Sequence, residues 1–387
     1  MNDDFEDGPP EPRENDFLIG HEQAENDLMA AFHSGKLAHA WLITGPRGFG
    51  KATLAYRFAR YVLKQSQASD AESEIVTAGA GLFGEMEASQ PQDDVSQDGM
   101  NTGQGLYIPS DDRVFMRTAA HGHADLLSIE RQWSDEKKNK RKTTIAVDDV
   151  RDIGSKFMRR TSAEGGWRVV IVDAADEMNH VAANALLKIL EEPPARSLLL
   201  LVAHNPGRLL PTIRSRCRKL ALNALDDTHL STLLDRYSHV MPEHDKKTLI
   251  DLAQGSIGRA LELSKGGGLE VFDELNNILG ELPQLNTVKL HKLGDKMARA
   301  ENEASFRMTC DLLQFTIAKI IRTVATNSID YDGNEVISKL AGFATLDRWL
   351  EVWEKITHLI ERSDRANLDR KQVTLNIFHA LENTVTH

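Results

Sequence analysis

The residues whose types and spacing most clearly suggest a chemical function lie in a glycine-rich stretch, 45–53, which reads GPRGFGKAT. It matches the phosphate-loop pattern, in which backbone amides surround phosphates and a lysine reaches the terminal phosphates. The position after that lysine normally carries a hydroxyl that ligates Mg²⁺, and here it is Ala52. Thr53 lies one residue late, about 100° further round a helix. The candidate nucleotide contacts are therefore the loop glycines, the lysine and this threonine: Gly45, Gly48, Gly50, Lys51 and Thr53.

A second stretch, 168–173, reads RVVIVD and predicts a buried strand that ends in an acid. In nucleotide hydrolases such an acid, here Asp173, helps to place Mg²⁺, and a catalytic glutamate follows it. The following residue is Ala174. Two defects at separate positions indicate a nucleotide-binding fold that is kept for a purpose other than hydrolysis. Two interpretations stay open for each residue: Lys51 contacts a phosphate or is a remnant, and Asp173 places a metal or caps loop amides.

Length and composition exclude several classes of protein. A chain of 387 residues is long enough for two or three domains. It has no apolar run of about 18 residues and no apolar leader, so we expect a cytoplasmic protein that does not span a membrane. Its two cysteines, Cys217 and Cys310, are too few for a disulfide framework or a cysteine-rich zinc site.

The net charge of −12 is unevenly distributed. Residues 1–27 and residues 66–113 each contain ten acids and one base, so the remaining 312 residues are mildly basic, at +6. Composition therefore neither excludes a nucleic-acid role nor demonstrates one. The charged stretch 135–142 has two open interpretations, a solvated loop and a loop that faces DNA.

The order of the predicted elements indicates an α/β region followed by helices. Apolar strands at 39–44, 124–129, 167–172 and 197–203 alternate with helices at 22–36, 51–64, 145–159 and 181–192. Such alternation predicts a parallel sheet that is buried on both faces. The predicted divisions are a disordered acidic tail, an α/β domain with a flexible acidic insertion, a small helical domain and a helical bundle: 1–16, 17–222 (insertion 66–113), 223–268 and 269–387.

Three further strings carry a resemblance to a known family. Residues 184–194 read NALLKILEEPP, residues 210–217 read LPTIRSRC, and residues 18–21 read LIGH. With the two motifs above, in this order, the chain resembles the clamp-loader branch of the AAA+ ATPases. The resemblance implies an AAA+ P-loop domain with a parallel sheet, a small helical lid domain at 223–268 and an all-α collar, used for oligomerisation, at 269–387.

Within that family the chain resembles the delta-prime class, because four catalytic positions are weakened. They are Ala52, Ala174, the sensor 1 segment 203–205, and Gly258, where sensor 2 normally has an arginine. The resemblance implies a non-catalytic subunit of the DNA polymerase III clamp loader, with weak ATP binding or none. It would help to load the sliding clamp onto primed DNA beside gamma/tau and delta subunits. The alternative is an active ATPase subunit of the gamma/tau type.

Arg216 is the residue to which the resemblance gives a catalytic role, an arginine finger that acts in trans on a neighbour's ATP. The alternative is an arginine in a surface salt bridge. Gamma/tau and many delta-prime subunits of the family carry a four-cysteine zinc module before the strand that corresponds to 168–173, but here that interval has no cysteine. His121 and His123 are too few ligands for a convincing metal site. We therefore expect no zinc.

Overall fold

The computed structural model describes residues 9–78, 105–132, 142, 144–164, 166–238, 240–299, 302–326, 335–366 and 368–386. Its internal contacts divide the chain into two compact units. The first comprises Met1–Leu233 with Gly255–Gly258, and the second comprises Leu234–Gln254 with Arg259–His387. The finer division into a lid at 223–268 and a collar at 269–387 stays a prediction.

A five-stranded parallel sheet forms the centre of the first unit. Its strands are β1 (Ala40–Thr44), β2 (Leu126–Glu130), β3 (Arg168–Asp173), β4 (Ser197–Ala203) and β5 (Arg218–Ala221). Their order across the sheet is β2-β3-β4-β1-β5, and every paired edge is parallel. All seven residues of β4 are buried, as expected for a strand with helices on both faces. The predicted α/β fold with a parallel sheet is confirmed.

Helices cover both faces of this sheet. On one face α2 packs Leu54 and Phe58 against Trp41 and other strand residues. On the other face α5 contributes Leu186 to a second apolar cluster with Leu42. The predicted helix 145–159 is divided, because α4 ends at Asp152 and a π-helical turn, Ile153–Phe157, follows it. The helices up to the end of this region are α1 (Glu22–His33), α2 (Lys51–Ala78), α3 (Arg113–Ala119), α4 (Val147–Asp152), α5 (His180–Glu191), α6 (Pro211–Arg214) and α7 (Asp227–Tyr237).

The prediction of a disordered tail at 1–16 is wrong for residues 9–16. Arg60 is 1% exposed, and its guanidinium donates to the carbonyls of Arg13 (3.2 Å) and Asn15 (2.8 Å). Buried Arg57 donates to the carbonyl of Asp16. A buried guanidinium needs acceptors, and the backbone of this segment supplies them.

The predicted insertion 66–113 is shorter than expected. Helix α2 continues to Ala78, and Leu106 and Ile108 are buried at 0% and 6% exposure. Both ends of the segment therefore belong to regular structure or to the core, and residues 79–104 lie outside the described part of the chain. The charged stretch 135–142 also lies outside it, apart from Lys142.

The second unit is all helical in its described residues. Helix α12 packs against α13 and α14, and α15 packs against α11 and α14. Lys319 of α12 forms an ion pair with Asp251 of α8, at 2.9 Å. None of the described helices has the length and apolar character that a membrane crossing requires. The helices are α8 (Glu243–Ala253), α9 (Ile257–Lys265), α10 (Gly268–Leu279), α11 (Thr287–Ala298), α12 (Glu303–Thr326), α13 (Glu335–Ala341), α14 (Leu346–Ala366) and α15 (Arg370–Thr386).

Candidate functional site

The glycine-rich loop lies between the end of β1 at Thr44 and the start of α2 at Lys51. This is the strand–loop–helix context that the sequence predicts. Gly45, Gly48 and Gly50 have positive φ angles of 145°, 81° and 80°. Residues other than glycine rarely adopt such φ angles, so the backbone conformation of the loop requires these glycines.

The loop packs directly against a distant segment of the same unit, 255–258. The amide of Gly258 donates to the carbonyl of Gly48 at 3.1 Å, and the Ser256 hydroxyl donates to the carbonyl of Arg47 at 2.9 Å. A Cβ atom on Gly48 would lie 2.4 Å from Ser256 Oγ and 2.8 Å from Gly258 Cα. Two backbones therefore meet here with no space for a side chain between them.

Lys51 is held within its own loop. Its side chain is buried, at 2% exposure for the residue, and Nζ donates to the carbonyl of Pro46 at 2.6 Å. Burial lowers the pKa of Lys51 to about 8, although the carboxylates of Asp173 and Asp176 act in the opposite direction. The negative charge of Asp173, at the end of β3, thus acts on Lys51, and the structure brings these two predicted residues together.

Asp176 is a site residue that the sequence reasoning did not identify. Its carboxylate accepts the amides of His204 (3.0 Å) and Asn205 (2.8 Å) and so fixes the turn that follows β4. Burial, with a contribution from the charge of Lys51, lowers the pKa of His204 to about 4, so the imidazole is neutral at pH 7. In the sequence Asp176 is marked only by its position, three residues after Asp173, and acids are common in solvent-exposed turns after strands.

The metal-binding elements of a hydrolase are incomplete at this site. Ala52 and Ala174 carry no ligating group, and Thr53 is buried at 8% exposure in the first turn of α2. Within the described ranges, no group of three or more His, Cys, Asp or Glu side chains could hold a metal ion. The arrangement retains the backbone shape of a phosphate loop without the groups that would activate water.

Arg216 lies between α6 and β5. Its Nη1 donates to the carbonyl of Thr212 at 3.0 Å, and its Nη2 lies 2.9 Å from Glu191 Oε1 in an ion pair. The Arg216 side chain is 37% exposed. The isolated chain therefore shows Arg216 in a surface ion pair, with part of its guanidinium accessible.

The sheet separates Arg216 from the glycine-rich loop. Strands β1 and β5 are parallel and pair Trp41 with Arg218 and Thr44 with Ala221. The loop follows the carboxyl end of β1, whereas Arg216 precedes the amino end of β5. The three residue steps between these ends span about 10 Å. Arg216 thus lies near the amino ends of the parallel strands, whereas the loop of its own chain lies at their carboxyl ends.

A family model and two similar proteins all point to delta-type subunits of DNA polymerase III. A family model described as "DNA polymerase III, delta subunit" matches residues 20–82 and 111–226, on either side of the insertion. DNA polymerase III subunit delta' of Pseudomonas aeruginosa is 31% identical over 248 residues, which are 64% of this chain and 61% of that protein. The Escherichia coli subunit delta' has the same identity and coverage. The chain thus spans about 61% of the length of these relatives.

More distant relatives are tau and gamma subunits of DNA polymerase III. The tau subunit of Salmonella typhimurium is 25% identical over 307 residues, which cover 75% of this chain and 40% of that protein. A gamma subunit-related protein of Thermotoga maritima, with a solved structure, is 20% identical at a TM-score of 0.33 and covers 70% of this chain and 89% of that chain. The sequence matches thus make this chain similar to the delta-prime subunits of DNA polymerase III over its first 226 residues.

Proposed function

We propose that this chain is a delta-prime subunit, a non-catalytic member of a clamp loader within the DNA-directed DNA polymerase III holoenzyme. It joins gamma/tau and delta subunits in a hetero-oligomeric ring in the cytoplasm and helps to load the sliding clamp onto primed DNA. The helices of 269–387 form the collar of that ring. Arg216 acts as an arginine finger on the ATP of an adjacent gamma/tau subunit.

The position of Arg216 is the observation that carries this proposal. It precedes β5 at the amino ends of the strands, whereas its own glycine-rich loop lies at their carboxyl ends, and 37% of its side chain is exposed. A guanidinium stays charged at all relevant pH values and presents a planar fork that suits phosphate oxygens. An arginine so placed serves a nucleotide on another chain better than one on its own.

We also propose that this chain binds ATP weakly or not at all, and the glycine-rich loop supports this. The Lys51 ammonium, which would reach the terminal phosphates, donates instead to Pro46. The backbone of the loop is in contact with Gly258 and Ser256. A nucleotide would have to displace these contacts and would gain no metal ligand from Ala52.

The experiment is a reconstituted complex of this chain with gamma/tau and delta subunits from the same source. Stimulation of ATP hydrolysis by the clamp and primed DNA is measured for wild type and for variants of this chain. We expect Arg216→Ala to reduce the rate by roughly 10³, the lower end of the range for arginine fingers supplied in trans. Arg216→Lys should recover only part of it, since lysine offers a point charge.

Arg208→Ala is the matched control, because it removes another exposed arginine from the same domain. All variants should co-elute with their partners. A wild-type rate for Arg216→Ala in the intact complex would reject the finger. If the isolated chain instead hydrolysed ATP, and Lys51→Ala abolished that turnover, the active gamma/tau type of subunit would be the correct alternative.

A further inference from the structure

The Arg216 guanidinium is restrained by two acceptors of its own chain. Glu191, the last residue of α5, pairs with Nη2 at 2.9 Å, and the carbonyl of Thr212 in α6 accepts from Nη1 at 3.0 Å. The acceptors come from different helices and bind different nitrogens of the planar group. Together they restrict both the translation of the guanidinium and its rotation about the side-chain bonds.

The two bonds leave most of the guanidinium available to a ligand. A guanidinium has five N–H donors, and two contacts on separate nitrogens leave three. An arginine side chain carries about 2 kcal/mol of rotamer entropy, which must be lost when it binds a phosphate. A guanidinium that is already held by its own chain has lost part of this freedom before the neighbour arrives.

We infer that Glu191 is a positioning residue for Arg216, and this inference rests on the proposed function of Arg216 in trans. Glu191 does not touch the nucleotide. With the Thr212 carbonyl it fixes the plane of the guanidinium, so that the three remaining donors meet the neighbour's phosphate in one orientation.

Energetics separate this role from a role in the stability of the fold. The Arg216 and Glu191 side chains are 37% and 51% exposed, and a pair of this exposure contributes little to folding. Loss of the Glu191 carboxylate should therefore leave the fold and the complex intact. Its effect should appear in turnover, where the orientation of the guanidinium matters.

The test compares Glu191→Ala, Glu191→Gln, Arg216→Ala and the double variant Glu191→Ala/Arg216→Ala, each as the full chain in the reconstituted complex. Glu192→Ala is the matched control, because it removes the neighbouring exposed carboxylate from the same helix end. We expect Glu191→Ala to lower kcat of the stimulated ATPase about two- to fivefold with little change in KM. Glu191→Gln keeps an acceptor oxygen and should retain most of the rate, as should Glu192→Ala.

The double variant should be no slower than Arg216→Ala, since a residue that acts only through Arg216 has nothing left to position. A further readout uses the isolated chain, labelled with ¹⁵N. The order parameter of the Arg216 Nε–H bond should fall in Glu191→Ala and remain at the wild-type value in Glu192→Ala.

The outcomes distinguish this inference from the proposed function. If Arg216→Ala loses activity while Glu191→Ala keeps the wild-type kcat, or exceeds it, Glu191 does not position Arg216 and the finger still stands. An unchanged order parameter in Glu191→Ala overturns the inference as well. If Arg216→Ala itself keeps the full rate, the proposed function fails, and the role of Glu191 in hydrolysis fails with it.

Discussion

Replacement of Gly48 by alanine tests whether the glycine-rich loop is packed against its own chain. The residue has a φ angle of +81°, which costs a residue with a Cβ about 1–2 kcal/mol. The new methyl group would also lie 2.8 Å from Gly258 Cα and 2.9 Å from Gly258 N, which are backbone atoms that cannot rotate away. Overpacking of this kind adds about 1–3 kcal/mol.

Gly35 provides the matched control for the backbone angle. Its φ is +67°, and a Cβ atom there would meet no atom within 4 Å. The unfolded chain also loses entropy when alanine replaces glycine, which offsets about 0.4–1 kcal/mol in both variants. We therefore expect a net loss of about 0–1.6 kcal/mol for Gly35→Ala and about 1–4.6 kcal/mol for Gly48→Ala, which should thus cost about 1–3 kcal/mol more. The difference between the variants isolates the contact with 255–258.

Gly258→Ala approaches the same contact from the other side. Its φ is not positive, and a Cβ there would lie 2.6 Å from Gly48 Cα. In the first turn of α9, alanine would otherwise be favoured over glycine by about 1 kcal/mol. Destabilisation by Gly258→Ala would thus have a steric cause.

The assay is hydrogen–deuterium exchange of the β1 amides, which lie between β4 and β5 in the sheet of this unit and report its free energy of opening. If Gly48→Ala and Gly35→Ala opened with the same free energy, and Gly258→Ala were stabilised, the loop would be open in solution. Close packing between the loop and 255–258 would then be refuted, and with it the steric reason to expect weak nucleotide binding.

Four further outcomes are expected. Because burial lowers the pKa of Lys51 from 10.5 to about 8, the unfolded chain binds more protons between these values. As the pH is raised from 8 to 10.5, the urea concentration at the midpoint of unfolding should therefore increase more for wild type than for Lys51→Met. Because burial lowers the pKa of His204 from 6.5 to about 4, wild type should lose stability more steeply than His204→Gln as the pH falls through that range. Replacement of 80–103 by a Gly-Ser linker of equal length should leave the urea midpoint unchanged, whereas deletion of 68–111 should lower it, since that removes buried Leu106. Elemental analysis of the purified chain should find no stoichiometric zinc, and one equivalent that survives dialysis against a chelator would contradict the expectation drawn from the missing cysteines.

The sequence predicts the centre of the sheet well because its strands are continuous apolar runs. The run 197–203 corresponds to β4 without an error, and β1 and β3 differ from their predicted bounds by one residue. Strand β5 was missed because it lies at the sheet edge, and three of its four residues are exposed. An edge strand with Arg218 and Lys219 has no apolar pattern by which sequence could reveal it.

The N-terminal segment was mispredicted for a different reason. Its acidic, proline-rich composition is typical of disorder, and composition does not show that Arg60 needs acceptors. That requirement arises only when α2 buries Arg60 beneath Phe115, with the guanidinium carbon 4.2 Å from the ring centroid. A segment of 9–16 that lacks apolar anchors is then held through its carbonyl oxygens.

The structure bears in different ways on the predicted roles of Lys51 and Arg216. Lys51 was left between a phosphate ligand and a remnant, and burial with a bond to Pro46 supports the second interpretation. Arg216 was left between a finger and a surface salt bridge, and the structure shows the salt bridge in the isolated chain. These alternatives are compatible for Arg216, because two contacts occupy only part of a five-donor group.

Gly258 changes its meaning most between sequence and structure. In the sequence it is the glycine where sensor 2 normally has an arginine, and it counts as a loss. In the structure its missing side chain is what permits its amide to reach the carbonyl of Gly48, 210 positions earlier in the chain, at 3.1 Å. An arginine at 258 would place its Cβ against Gly48 Cα before its guanidinium could reach any phosphate. Restoration of the sensor would therefore open the loop contact, so absence of the sensor and closure of the loop are one structural property.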